Sequence, residues 1–151
     1  MSLVQLYECR LRAAEVLRLE DVANQTHVRC AEQLALVGHA LTRELPHEQV
    51  WLVMLSAAHE IRGAVRLSEG GLHGCALCPG DVFRPVLVAA CGAFALIHNH
   101  PSGDPRPSEA DREMTRKIYD AGELLGVHLV DHVVVTSTPG RWHSMGARGD
   151  E

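Results

Sequence analysis

A chain of 151 residues that is 46% hydrophobic and 22% charged has the make-up of one ordinary globular domain. At that length it buries enough core to fold without disulfides or a structural metal. Lys plus Arg number 14 and Asp plus Glu 19, a net charge of −5 that argues against a general nucleic-acid binder. No apolar run approaches the roughly 18 residues of a membrane span.

The start, MSLVQLYECRLRAAEVLRLED, mixes Arg and Glu into a helical pattern and reads as neither a signal peptide nor an anchor. With no export signal, the odd set Cys9, Cys30, Cys75, Cys78 and Cys91 reads as reduced thiols of a cytoplasmic protein. Cys75-Ala-Leu-Cys78 lacks the second pair of a zinc ribbon, and Pro79-Gly80 follows at once, so these thiols read as incidental.

The first forty-five residues are helical in pattern, with Leu3, Leu6, Leu11, Ala14 and Leu17 followed by a cleaner stripe at Ala31, Leu34, Val37 and Leu41. They are taken as an N-terminal helical segment, 1–45, packed on a domain spanning 46–151. The second helix is expected to start near Asn24 or Thr26 and to end before Pro46. Val50–Leu55 is apolar on both faces and predicts a central strand. Ser56–Glu60 reads as a turn into a hairpin partner, Ile61–Leu67, with Arg62 and Arg66 facing outward. Gly70, Gly71 and Gly74 mark a loop. Asp81, Val82, Leu87, Val88 and Cys91 suggest a helix with Pro85 in its first turns. Ala93–Ile97 is a second buried strand that runs into His98. Ser108–Gly126 is the best-marked helix, with Met114, Ile118, Ala121 and Leu125 in one stripe, and Val127–Thr136 is a long strand. Mixed helices and strands with a hairpin predict an α+β fold or a three-layer α-β-α sandwich with a mixed sheet.

The chemistry concentrates in HNHPSGDPRPSEAD, residues 98–111. His98 and His100 occupy i and i+2 at a strand end, so both imidazoles project from one face, their Cα atoms roughly 7 Å apart. Two imidazoles so placed can converge on one ion, and a catalytic zinc takes a third protein ligand while keeping a position open. Asp111 is the candidate third ligand. Pro101, Pro105 and Pro107 stiffen the loop, Gly103 permits its reversal, and Ser108 as N-cap sets Asp111 in the first helical turn. Ser-x-x-Asp is also a plain capping box, and His-x-His could be two solvated residues. The clustering of all four around one rigid loop favours the metal site.

His98, His100, Ser108 and Asp111 fill the pattern H-x-H-x7-S-x2-D, and with AGELLGVHLVDHVVV the chain resembles the RadC branch of the JAMM (JAB/MPN+) metalloproteases. The resemblance runs from about Gln49 to Gly146. It implies an α/β three-layer α-β-α sandwich with a mixed β-sheet, of the JAB/MPN and cytidine-deaminase-like kind. It further implies one Zn2+ per chain on His98, His100 and Asp111, with Ser108 hydrogen-bonding the oxyanion or the metal-bound water. RadC proteins often carry an N-terminal helix-hairpin-helix domain, for which the short helical start here leaves no room.

The mechanism the resemblance implies also needs a glutamate as general base. The family pattern sets it on the second strand, about five residues before a glycine, and counting back from Gly70 lands on Val65. A site with no carboxylate base is then the favoured reading; of the carboxylates nearby, Glu69 is the first candidate and Glu60, at the hairpin turn, the second. Asp131-His132 sits within a strand with its side chains on opposite faces; one of them orienting a ligand imidazole and a purely structural pairing are the two readings. His143-Ser144 reads as a solvated tail; His27, His39, His47, His59 and His73 receive no role.

The expected function is therefore zinc-dependent hydrolysis of a peptide, isopeptide or other amide bond in a peptide or protein substrate. Two alternatives stand beside it: a metal-retaining but catalytically silent protein-binding module, which Val65 favours, and a DNA-repair role, which the acidic charge does not support.

Overall fold

The computed structural model describes residues 26–42, 45–70 and 77–150. The stripe from Leu3 to Leu17, Cys9, Cys75, and the loop glycines Gly71 and Gly74 lie outside them. The elements are α1 (Ala31–Thr42), β1 (Gln49–Leu55), β2 (Ile61–Glu69), α2 (Pro79–Val88), β3 (Ala93–His100), α3 (Glu109–Leu125), β4 (His128–Thr136) and β5 (Trp142–Ser144). The strands form one sheet in the order β2-β1-β3-β4-β5. Only β3 and β4 run parallel; every other neighbouring pair is antiparallel, so the sheet is mixed.

The sheet is covered on both faces, which makes three layers. On one face Leu34, Ala35 and Val37 of α1 pack on Val53, Leu55, Ala95, Ile97, Val133 and Val135. Helix α1 settles this closely because of Gly38, where a Cβ would meet Ile97 at 2.8 Å and Val135 at 2.9 Å. On the other face Val82, Phe83 and Val86 of α2 and Ile118 of α3 pack on Leu52, Met54, Phe94, Leu96 and Leu129. The central strands β1 and β3 are thus buried on both sides, as their unbroken apolar runs require.

Several boundaries differ from expectation for identifiable reasons. Helix α1 begins at Ala31 because residues 26–28 are extended against the hairpin: Val28 N–H donates to the His59 carbonyl at 2.9 Å, and Ile61 N–H to that of Thr26 at 2.8 Å. Helix α2 begins at Pro79, where a first-turn proline loses no helical hydrogen bond, and Cys91 lies beyond its end. Trp142–Ser144 is a short strand on β4 where a tail was expected. Helix α3 matches its pattern, capped by Ser108 and closed by Gly126 in the left-handed region (φ 71°).

Candidate metal centre

The topology brings three chain ends to one edge of the sheet. β3 runs antiparallel to β1 with His98 opposite Val50, so β3 ends where β1 begins. Phe94 and Leu96 face α2 and α3, and the period of two carries His98 and His100 onto that same face. Gly103 (φ 84°) then reverses the chain, its N–H donating to the His100 carbonyl at 3.1 Å. The reversal delivers the start of α3 to the histidines. There Ser108 Oγ accepts from Asp111 N–H at 3.1 Å, and the Asp111 carboxylate accepts from Ser108 N–H at 2.7 Å, a complete capping box. The cap fixes the Asp111 side chain and turns one carboxylate oxygen toward the imidazoles.

Four ligating atoms, from Glu48, His98, His100 and Asp111, lie within 4.8 Å of one another. The Nε2 atoms of His98 and His100 are 2.8 Å apart. Asp111 Oδ2 stands 3.5 Å and 3.6 Å from them, and Glu48 Oε1 3.7 Å and 3.8 Å. A tetrahedral ion with bonds of about 2.0–2.1 Å keeps its ligand atoms about 3.3 Å apart, so the spacing suits one small cation. The donor chemistry suits it too. His100 Nδ1 lies 2.8 Å from the Asp104 carbonyl, which can only accept, so that nitrogen carries the proton and Nε2 presents its lone pair. Two imidazole nitrogens and a carboxylate oxygen are a ligand set that zinc favours.

The electrostatics follow from these contacts. Burial pushes the Asp111 carboxyl toward neutrality, but the adjoining His100 and His98 rings and the hydrogen bond from Ser108 N–H hold it far below the usual carboxylate range. Burial likewise lowers the His100 pKa, yet the Asp111 and Asp104 contacts and the charges of Asp111 and Glu48 outweigh it and leave it raised. His132, wholly buried behind His98, is held well below its usual value by desolvation and by the neighbouring His98 charge.

Glu48 is the member that sequence reasoning missed. It precedes β1 and points to the histidine face, and its backbone is held on both sides. Asn99, whose side chain projects from the opposite face of the sheet, accepts from Gln49 N–H at 2.7 Å and donates to the His47 carbonyl at 2.9 Å. Gly70 N–H donates to the Glu48 carbonyl at 2.8 Å. The available signal was register: with Val50 opposite His98, Glu48 falls opposite His100.

The first candidate base, Glu69, is not brought to this group. It lies directly opposite Gln49, on the α1 side of the sheet, where its carboxylate accepts from Gln49 Nε2 at 3.3 Å and faces Arg66 at 3.7 Å. Val65 sits opposite Leu52 and packs, half-buried, against the core under α2 and α3, so a carboxylate there would lie against apolar side chains. Glu60 pairs with Arg62 at the far end of β1, about 20 Å of extended strand away. Ser108 borders the group through its cap, exposed to solvent.

Residues 28–150 match the model of the RadC-like JAB domain. This chain belongs to that family. Its relatives include the UPF0758 proteins of Flavobacterium johnsoniae, 34% identical over 121 residues (80% of this chain, 53% of the relative), and of Salinibacter ruber, 35% identical over 138 residues (91% and 58%). That of Desulforudis audaxviator is 32% identical over 111 residues, covering 74% of this chain and 48% of its own. The chain thus spans about half the length of the relatives it matches. Like the family match, the three layers and mixed sheet agree with the fold expected from the loop motif. No helix among the described residues is long and apolar enough to cross a membrane.

Proposed function

We propose that this RadC-like domain is a zinc-dependent hydrolase of the JAMM type, cleaving an amide bond in a peptide or protein, with His98, His100 and Asp111 as the zinc ligands and Glu48 as the general base. The observation that carries this reading is the second carboxylate. Three ligands alone would equally suit a silent module, whereas a fourth group, held by its own backbone clasp 3.7–3.8 Å from both Nε2 atoms, is what proton transfer requires. A zinc ion held there by His98, His100 and Asp111 would supply Lewis acidity to the scissile carbonyl and would lower the pKa of a neighbouring water to about 7.

Glu48 takes the proton of the attacking water and returns it to the leaving nitrogen. Ser108 Oγ accepts from Asp111 N–H, which leaves its hydroxyl proton to donate to the developing oxyanion. Asp111, ionised throughout the working range, supplies the anionic ligand. A cytoplasmic setting fits the free thiols of Cys30, Cys78 and Cys91.

The test is Glu48→Gln, which keeps shape and removes the base. Zinc-loaded chain is incubated with amide- and isopeptide-linked peptide libraries, and cleavage is read by mass spectrometry beside elemental analysis. Expected are one zinc per chain in both proteins and a loss of about 10²–10⁴ in turnover for the variant. Undiminished cleavage by Glu48→Gln, or full zinc occupancy in His98→Ala, would overturn the assignment. Tight zinc with no hydrolysis by the wild type would leave the silent module as the better account.

A further inference from the structure

Behind His98 lies a buried chain of hydrogen bonds. His98 Nδ1 is 2.8 Å from His132 Nε2, and His132 Nδ1 is 2.7 Å from Thr115 Oγ1. Thr115 Oγ1 is in turn 2.7 Å from the carbonyl oxygen of Asp111. Thr115 and His132 are both 0% exposed, so water cannot replace any link. The path joins two proposed ligands on different elements, His98 on β3 and Asp111 on α3, through the interior.

We infer that Thr115 and His132 are positioning residues that hold His98 in the one tautomer able to bind a cation; the inference rests on the zinc-site reading above. The chain can run in two directions, and donor counting separates them. Thr115 has one hydroxyl proton and two close acceptors at 2.7 Å, the Met145 sulfur at 4.0 Å being a weak third. When it donates to the Asp111 carbonyl, its oxygen accepts from His132 Nδ1–H. His132 Nε2 is then bare and accepts from His98 Nδ1–H, which leaves the His98 Nε2 lone pair facing Asp111 and Glu48. In the opposite direction Thr115 donates to His132 Nδ1, His132 Nε2–H donates to His98 Nδ1, and the His98 proton sits on Nε2, where it blocks the ion. Both directions hold the same protons, and the first alone is compatible with a ligand. The Asp111 carbonyl, fixed in the first turn of α3, tips the choice by offering the hydroxyl a good acceptor.

His132 reaches this position through a bulge. Phe94 pairs with Leu129 but Leu96 with His132, so β4 holds one extra residue between them. Leu129 and His132 therefore share the α3-facing side, which a regular strand would deny them.

The experiment is long-range 1H–15N correlation of the histidine rings in the zinc-loaded wild-type chain, combined with zinc titration of Thr115→Val and Thr115→Ser. Expected are protons on Nδ1 of both His98 and His132, zinc at His98 Nε2, a 10–100-fold loss of affinity in Thr115→Val and its recovery in Thr115→Ser. A proton on His132 Nε2 in the loaded protein, or wild-type affinity in a folded Thr115→Val, overturns the inference while leaving the zinc site standing. A wild-type chain whose His98 shows no zinc contact overturns the zinc site itself, and this inference with it. The ring spectra need no variant, so a Thr115→Val chain that fails to fold does not remove the test.

Discussion

Asn99→Ala separates the two halves of the proposed site. Its side chain makes two hydrogen bonds, to Gln49 N–H at 2.7 Å and from Nδ2 to the His47 carbonyl at 2.9 Å, and so clamps the peptides on either side of Glu48. Gln49 is 2% exposed, so the truncation leaves its N–H buried without a partner, at a cost of about 1–3 kcal/mol. The second lost bond adds about 1 kcal/mol, for a total of about 2–4 kcal/mol. At about 2–4 °C per kcal/mol for a domain of this size, Tm falls by about 5–15 °C. Asn99 lies between His98 and His100 on β3, but its side chain projects from the opposite face of the sheet, so zinc affinity is expected to hold. Glu48 is freed to move, and a displacement near 1 Å costs on the order of 10²-fold in turnover. Thermal unfolding, zinc titration and cleavage of the same substrate read the three quantities separately. Turnover falling only in proportion to lost zinc would refute the idea that Asn99 acts through Glu48. Unchanged Tm would refute the clasp itself.

Two further outcomes follow from the same geometry. The His100 pKa is raised above its usual 6.5, so at lower pH a proton occupies the ring and zinc must displace it. Apparent affinity should therefore fall by about tenfold per pH unit below that pKa, while Asp111, held far below the carboxylate range, adds no step above pH 4 or so. Titrations giving one constant from pH 8 to 5.5 would contradict this. Ser108→Ala is expected to lose the cap, about 1 kcal/mol, and about 10²–10³ in turnover, with zinc retained. Ser108→Asp restores the cap without the hydroxyl donor and should be stable yet slow; wild-type turnover in that variant would reduce Ser108 to a helix cap.

What could be read from the sequence was what local rules determine. His98, His100, Ser108 and Asp111 lie within fourteen consecutive residues, and every step between them is short-range: strand period, proline-stiffened loop, glycine reversal, helix cap. The layered fold was legible for the same reason, since each stripe reports its own burial. Glu48 is fifty residues from His98, and nothing local connects them. Their meeting depends on the register of β1 against β3, and the rule of counting back from Gly70 along β2 chose a residue whose side chain packs against the core instead. A single register pair, Val50 with His98, would have been enough to place Glu48 beside His100. The pair Asp131-His132 was legible as a candidate for orienting a ligand imidazole, but not which of the two turns to the site. Alternation from Leu129 assigns His132 to the α1 face, and only the extra residue in β4 turns it back toward His98. The side chains that do chemistry through the backbone of other elements are therefore those that periodicity reads worst. A bulge or a register costs no visible pattern in the sequence, yet it decides which face of the sheet a side chain serves.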